Sequence, residues 1–511
     1  MSVQSAFDLK NVLVKREATW QEAVVEYKSI ITLANSGNDP AESFLFLLPS
    51  NIADRVGYLT ASLGSKQLRV EELGSLENSK GWIIKFINPL AAQKQQTVTV
   101  SAIITHPFQA LPAEGLLMES NGAISELPYR HLSPYPTLAD SLTVSGFSQL
   151  LAYAPNLDVT VSEGSIKWEV SDSSSATQAT VQAKYSHPLP HFQSVTREIS
   201  VSHWGMISVT DSFDLRNNAQ KLSGEFSRVP FSIADQLRGN APFTIDGSLT
   251  SLKAVLPRYT RNVAYFDVIG NISTSRAARV GKSHVGVDIQ PRFPVLGGWK
   301  TEYSLSYDLP AKFVLADEGL MDGQNSLLSW LFEPTRFSLS IPANYPFVKV
   351  PADKVKFLIE LPEGARDISV QLPGGRSVDQ IVTETKRGWL STPLIGGNTL
   401  VSFEIDGPFF IPEREALNFK LKVKYSYAKL GNIRQGLLLV GYVFALFLLA
   451  ILSGRLFGYE SMGGIRSGAT TAKGSPVGSG PSSPTSVHPP VTEIRAKLAS
   501  LAPREGVKKR K

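Results

Sequence analysis

The sequence predicts a mainly β protein: two β-sandwich-like domains, then a single transmembrane helix, then a disordered tail. Three observations support this. Apolar and polar side chains alternate with a period of two through much of residues 8–430, an uncharged run extends from Gly436 to Gly454, and Gly, Ser, Pro and Thr dominate residues 461–490. The 511 residues allow about three units at roughly 150 residues each. With 42% hydrophobic and 19% charged residues, the composition excludes wholesale disorder and a polytopic membrane protein. Cysteine is absent, which excludes disulfide staples, thiolate metal sites and cysteine nucleophiles.

The strand signal is explicit in several runs. Val98, Val100, Ala102 and Ile104 share one face, while Thr97, Thr99, Ser101 and Thr105 share the other. Comparable runs occur from Val195 to Val209 and from Val355 to Leu361, the second ending in the turn Pro362-Glu363-Gly364. Phe419, Leu421, Val423, Tyr425 and Tyr427 alternate with Lys420, Lys422, Lys424 and Ser426. Helical periodicity is scarce, and its best candidate is Asn325 to Phe332. About 420 residues exceed one sandwich, so the chain is divided where Pro230, Gly239 and Pro242 break the pattern, giving domains at 8–229 and 240–430.

The segment 436–454 reads as the transmembrane helix. At 1.5 Å per residue it spans roughly 28 Å, enough for a thin bilayer. A soluble core helix of that length ordinarily has a charge or a polar stripe, and here Arg434 and Arg455 only bracket the run. Gly441 with Ala445, and Ala450 with Gly454, are candidate helix-packing pairs that let a second helix approach closely; chance placement of small residues is the alternative.

Locating the charge changes its meaning. The whole chain is +6, but residues 455–511 hold ten basic and three acidic side chains, a net of +7, which leaves −1 for everything before them. The basic character therefore belongs to a flexible tail and implies no nucleic-acid surface. In that tail Val491, Ile494, Leu498 and Leu501 follow helical spacing, as a docking helix or a transient one would.

Two addresses set the orientation. The single acceptor sequon, Asn271-Ile272-Ser273, is usable only in the secretory lumen. Lys508 and Lys509, fourth and third from the end, form a dilysine retrieval signal read from the cytosol. Both predict a single-pass type I protein of the endoplasmic reticulum membrane, with its N-terminal part lumenal and its tail cytosolic. Met1 to Phe7 are polar and lack the apolar core of a signal peptide, so the expectation is a truncated or misassigned start.

Catalytic constellations are not apparent. His187 and His191 have the spacing of a zinc helix, but Pro188 and Pro190 forbid a regular helix there. Gly281-Lys282-Ser283 resembles the end of a phosphate loop, yet Arg276 stands where its first glycine belongs. Glu71 and Glu72 are sequence neighbours and point apart on a strand. No catalytic, cofactor-binding or metal site is expected.

Several segments resemble one family. The run from Val263 through Tyr265, Phe266, Asp267 and Asn271 to Ser275, and that from Pro291 through Arg292, Phe293, Pro294, Gly297, Gly298 and Trp299 to Thr301, resemble the signature of ribophorin I, a subunit family of the oligosaccharyltransferase complex. Arg197 to Gly205, Phe226 to Arg228, Ser133 to Thr137 and Leu361 to Ala365 match in the family's order. The resemblance implies two lumenal β domains, the first similar to the N-terminal β domain of certain aminopeptidases, and one membrane helix. It implies no catalytic centre and no cofactor in this chain, because a separate polytopic subunit transfers the oligosaccharide from dolichyl pyrophosphate to Asn in Asn-x-Ser/Thr. The implied partners are the other oligosaccharyltransferase subunits, that catalytic subunit included, together with the nascent polypeptide and the membrane. The short tail replaces a long helical cytosolic region of animal members, so contacts made there are not carried over.

By residue chemistry, Arg292 to Trp299 suit a rigid, core-anchoring turn, with an exposed partner-contacting loop as the alternative, and His203-Trp204 suits a strand core. The functional expectation is a non-catalytic oligosaccharyltransferase subunit. The alternative is an independent lumenal cargo-binding membrane protein recycled by its dilysine tail; a lumenal hydrolase would need purified residues 8–430 to turn over a substrate. On an electrophoretic gel, Asn271→Gln is expected to migrate faster by one glycan, matching endoglycosidase treatment, and unchanged mobility would remove the sequon from the orientation argument.

Overall fold

The computed structural model describes residues 8–76, 78–116, 121–170, 176–236, 247–281, 283–320, 334–372, 381–386, 397–428 and 431–456. The expected helix at Asn325 to Phe332 and the tail beyond residue 456, with Lys508 and Lys509, lie outside them.

The alternation folds as strands. Val98, Val100, Ala102 and Ile104 are all buried on the strand Gln95–Thr105, and Leu421, Val423, Tyr425 and Tyr427 on Lys420–Ala428. A side-chain period of two presents one apolar face, and burying that face is what holds each sheet to its neighbour.

Two apolar cores result. The first lies between a ten-stranded sheet, centred on Leu9–Gln21, Val24–Asn35 and Gln95–Thr105, and a four-stranded sheet containing Gly122–Pro128 and Gln178–Lys184. Neighbouring strands are antiparallel except for Leu9–Gln21 beside Asp140–Ser145. The core-facing row of Leu9–Gln21 includes a charge, Arg16, only 1% exposed. Its guanidinium donates to both carboxylate oxygens of Asp140 at 2.8 and 2.7 Å and to the carbonyls of Pro128 and Tyr129, each at 2.6 Å. Four of its five N–H donors are thus occupied, and the bidentate pair ties the parallel strand and the 128–131 segment to the centre of the sheet.

The second core lies under a seven-stranded sheet in which Met206–Asn217, Pro190–Val201 and Ala352–Leu361 are central, with a three-stranded and a four-stranded sheet supplying further residues. Pro190–Val201 and Ala352–Leu361 run parallel. The run expected from Val195 to Val209 is two strands joined by a tight turn at 202–205. Phe192, Phe213, Tyr345 and Phe347 pack edge-on or tilted at its centre, with centroids 4.8–6.4 Å apart. Arg197 and Asp211, cross-strand partners, are buried together, and Arg197 also donates to the Tyr307 hydroxyl at 2.7 Å.

Where the cores meet, Asn217 is fully buried and its side-chain amide is saturated. Its Oδ1 accepts from the backbone N–H groups of Leu189 at 3.0 Å and Ala219 at 3.1 Å; its Nδ2 donates to the carbonyls of Gly247 at 2.7 Å and Val295 at 2.9 Å. Leu189 and Ala219 pack in the first core, Val295 in the second. Further bridges between residues of the two β regions are Lys349 to Glu22 at 2.6 Å and Gln67 to Glu415 at 3.1 Å.

The last described element is the helix Gly431–Leu456, within which Gly436–Arg455 is long and apolar enough to cross a membrane and is not buried inside the chain.

Asn217→Ala strands two buried N–H groups and the Gly247 carbonyl, while Val295 keeps its bond from the Leu249 N–H, so a loss of about 3 kcal/mol is expected. Asn217→Asp keeps the shape but turns a carboxylate toward two carbonyls, and is expected to be at least as damaging. Tryptophan-fluorescence melting of the purified full chain checks both; an unshifted midpoint would show that the amide contributes nothing.

Candidate functional site

The segments that resembled the family signature lie apart in sequence and meet in space. The edge strand Arg261–Asp267 runs into a turn whose geometry Asp267 dictates: its Oδ1 accepts from the backbone N–H groups of Ile269 at 2.9 Å and Gly270 at 3.0 Å. Gly270 takes φ 139°, which a side chain would resist. Arg292 closes the turn from the other segment, its Nε donating to Asp267 Oδ2 and its NH2 to the Gly270 and Asn271 carbonyls at 3.2 and 2.9 Å. The hydrogen bond from Arg292, joined by the two backbone N–H donors, holds the Asp267 carboxyl below the usual carboxylate range.

The clasp presents two large apolar side chains to solvent: Val268 is 86% exposed and Ile269 81%. The same turn exposes Asn271, while Ile272 behind it is buried. Such a rigid apolar tip can add contact area to a partner at small entropic cost.

The segment from Arg292 to Trp299 divides between the two roles weighed for it. Val295 and Leu296 are buried, and a Cβ on Gly297 would stand 1.8 Å from the Gln220 carbonyl oxygen, so that position requires glycine. Trp299 packs on Phe226 at 5.4 Å and Phe293 at 6.0 Å, and Phe226 in turn meets Phe231 of the helix Arg228–Gln236. This satellite cluster joins the Phe226 to Arg228 motif to the Trp299 motif. Arg292 and Phe293 face solvent. The expectation for His203-Trp204 is corrected: the pair occupies the tight turn before Gly205, not a strand. His203 turns inward to within 2.9 Å of the Tyr425 hydroxyl, whereas Trp204 is 76% exposed.

A second polar constellation lies at the junction of the cores. His106, in a turn after Gln95–Thr105 with φ 50°, brings Nε2 to 3.2 Å from Asp353 Oδ1. His191 Nε2 stands 3.9 Å from Asp353 Oδ2, and its buried Nδ1 has no hydrogen-bond partner among the described residues. Burial lowers the His191 pKa to about 4, aided by His106 and Arg216; burial also lowers that of His106 and raises that of Asp353. His187, the sequence partner weighed for His191, is exposed and beside Tyr185 instead. No spacing rule would find His106 and Asp353, which are 85 and 162 residues from His191.

On the apolar helix, side chains added at Gly441 or Gly454 would meet nothing within 4 Å. At about 100° per residue, the Gly441/Ala445 pair and the Ala450/Gly454 pair fall on opposite sides of the helix.

A family model described as Ribophorin I matches residues 9–454. The chain belongs to the ribophorin I family. Among its relatives, the dolichyl-diphosphooligosaccharide–protein glycosyltransferase subunit 1A of Arabidopsis thaliana is 26% identical over 469 residues, covering 87% of this chain and 70% of the relative. Subunit 1 of Caenorhabditis elegans is 26% identical over 473 residues, covering 88% and 73%. Among solved structures, an M1 zinc metallopeptidase from Deinococcus radiodurans is 12% identical over 46% of this chain and 42% of its own, with a TM-score of 0.25, too low to support an argument. In this ribophorin I chain, then, the signature residues build one clasped turn and one aromatic cluster.

The clasp should respond to acid. Because the folded-state pKa of Asp267 is depressed, its contribution is complete above the unfolded value of about 3.9 and is lost as pH falls through the lower folded value. Amide protection at 269–271, corrected for intrinsic exchange, is expected to hold from neutral pH to about 4 and then fall. Asp267→Asn should lower it already at neutral pH, and equal protection in the variant would exclude the clasp.

Proposed function

We propose that this ribophorin I chain is a non-catalytic subunit of the oligosaccharyltransferase complex, supporting transfer of the dolichol-linked oligosaccharide to Asn in Asn-x-Ser/Thr of nascent proteins. The single observation behind it is the family match over residues 9–454, β regions and apolar helix together, with relatives named as subunit 1 of that glycosyltransferase.

The chain works with other subunits of the complex, the polytopic catalytic subunit among them, and lies in the endoplasmic reticulum membrane as a type I protein. Supporting this orientation are the exposed sequon Asn271, the apolar helix that is the one span candidate among the described residues, and the basic tail with Lys508 and Lys509. The β region comprises two lumenal domains, expected at 8–229 and 240–430; the presence of two cores supports a division in two, with the strands Pro190–Val201 and Met206–Asn217 already belonging to the second core. The Val268–Ile269 tip serves as a contact for a partner subunit or the nascent chain. Gly441 with Ala445, and Ala450 with Gly454, give the helix two opposed close-packing faces, each able to admit a neighbouring span.

After gentle solubilisation, the tagged full chain is expected to bring down the catalytic subunit stoichiometrically. Val268→Asp combined with Ile269→Asp should reduce that recovery several-fold while leaving the melting midpoint unchanged. A chain that runs alone on native gels, with sequon occupancy unaffected by its loss, would instead favour an independent cargo-binding role.

A further inference from the structure

The His106, His191 and Asp353 constellation has no role in the function proposed above. We propose that these three side chains bind one divalent transition-metal ion, Zn2+ fitting them best, and that the ion staples the two cores together.

The geometry is that of a slightly expanded coordination set. Ligands at about 2.0–2.1 Å around a tetrahedral ion stand about 3.3 Å from one another. Here His106 Nε2 is 3.2 Å from Asp353 Oδ1 and His191 Nε2 is 3.9 Å from Asp353 Oδ2, and one donor atom taken from each residue gives a set that lies within 4.8 Å. The 3.9 Å separation is too long for a hydrogen bond, so direct hydrogen bonding alone does not account for how His191 faces the carboxylate. Small rotations of the two rings would bring all three donors into an ion's first coordination sphere.

The donor chemistry agrees. Two imidazoles and one carboxylate suit Zn2+ over the harder Mg2+ or Ca2+, and three protein ligands leave a fourth position for water. Burial lowers the pKa of both imidazoles, which favours the neutral form that coordinates metal. The adjoining cavity is lined by Phe108, Leu189, Pro190 and Pro351 with both histidines, an apolar surround that strengthens the attraction between carboxylate and cation. Opposing charges are present: Arg216 is the cross-strand neighbour of His191, and Arg55 donates to the His106 carbonyl at 3.4 Å. They weaken binding, and a moderate affinity is expected, not that of a four-ligand structural site.

Placement explains what the ion would do. His106 follows a strand of the first core, while His191 and Asp353 lie near the starts of two parallel strands of the second, in register at Phe192 and Ala352. A chain without cysteine has no disulfide with which to fasten such a junction.

The test uses the full-length chain in detergent, without a histidine tag, stripped with EDTA and then titrated with Zn2+ by calorimetry and with Co2+ by visible absorption. Expected are one equivalent of saturable Zn2+, Co2+ ligand-field bands that Zn2+ displaces, and a melting midpoint raised by Zn2+ and restored by EDTA. His106→Gln and Asp353→Asn should each abolish the bands and the midpoint shift, while His187→Gln should retain both. Absence of saturable binding in the wild-type chain, or equal binding in folded His106→Gln and Asp353→Asn chains, overturns the proposal. If neither variant folds, the wild-type spectrum decides: bands of histidine–carboxylate coordination at one equivalent support it, and their absence overturns it.

Discussion

The β region depends on one small side chain. Asn217 ends a central strand of the second sheet at the place where the chain must leave one core and serve the other, and four backbone groups converge on its amide. Two of those groups are donors and two are acceptors, so only a side chain with both functions in one plane satisfies them all; neither Asp nor Leu could. Buried backbone polar groups at such a crossing cannot reach water, and each one left without a partner would cost roughly one to three kcal/mol. The close approach of Gly297 to the Gln220 carbonyl happens beside it, because the same convergence leaves no room for a Cβ.

A chain without disulfides holds two large sheets together by area and by a few buried polar nodes. Alternating Val, Ile, Leu and Phe supply the area; Arg16 with Asp140 and Arg197 with Asp211 supply the nodes. Each node sits in a core-facing row where period-two patterning calls for an apolar residue. A buried ion pair contributes little net stability over an apolar pair, but removing one partner leaves a buried charge uncompensated and is strongly destabilising. The rigid β scaffold presents an apolar turn, clasped by Asp267 and Arg292, while the helix Gly431–Leu456 exposes an apolar surface suited to lipid and to other helices.

Legibility followed the range of the interactions. The strands over Gln95–Thr105, Ala352–Leu361 and Lys420–Ala428 were plain because a half-buried strand writes its burial into alternate residues. The helix was plain because the run from Gly436 to Gly454 has no charge. For His203-Trp204 the structure differs because a short turn between long strands preserves the alternation on either side, so the pattern does not mark the turn or the exposure of Trp204. Arg292 and Phe293 fell between the two roles weighed, since the Arg is used for clasping a neighbouring segment and the Phe packs on Trp299 with one face in solvent. The Asp267–Arg292 clasp and the constellation of His106, His191 and Asp353 leave no local signal, because nothing near them in sequence distinguishes those residues from the chain's other Asp, Arg and His.

By itself, the sequence determined the class of the protein: β from its period of two, membrane-linked from one uncharged apolar run, and ribophorin I-like from a series of segments in order. These are properties of neighbours along the chain, where side-chain direction is set by backbone geometry alone. Only the tertiary structure decided which strands share a core, that Asn217 closes the crossing between the two cores, and that a turn at 267–271 is locked by an arginine from a different segment. Those outcomes depend on sheet order and on pairings across tens to hundreds of residues, and many strand orders are compatible with one pattern of alternation.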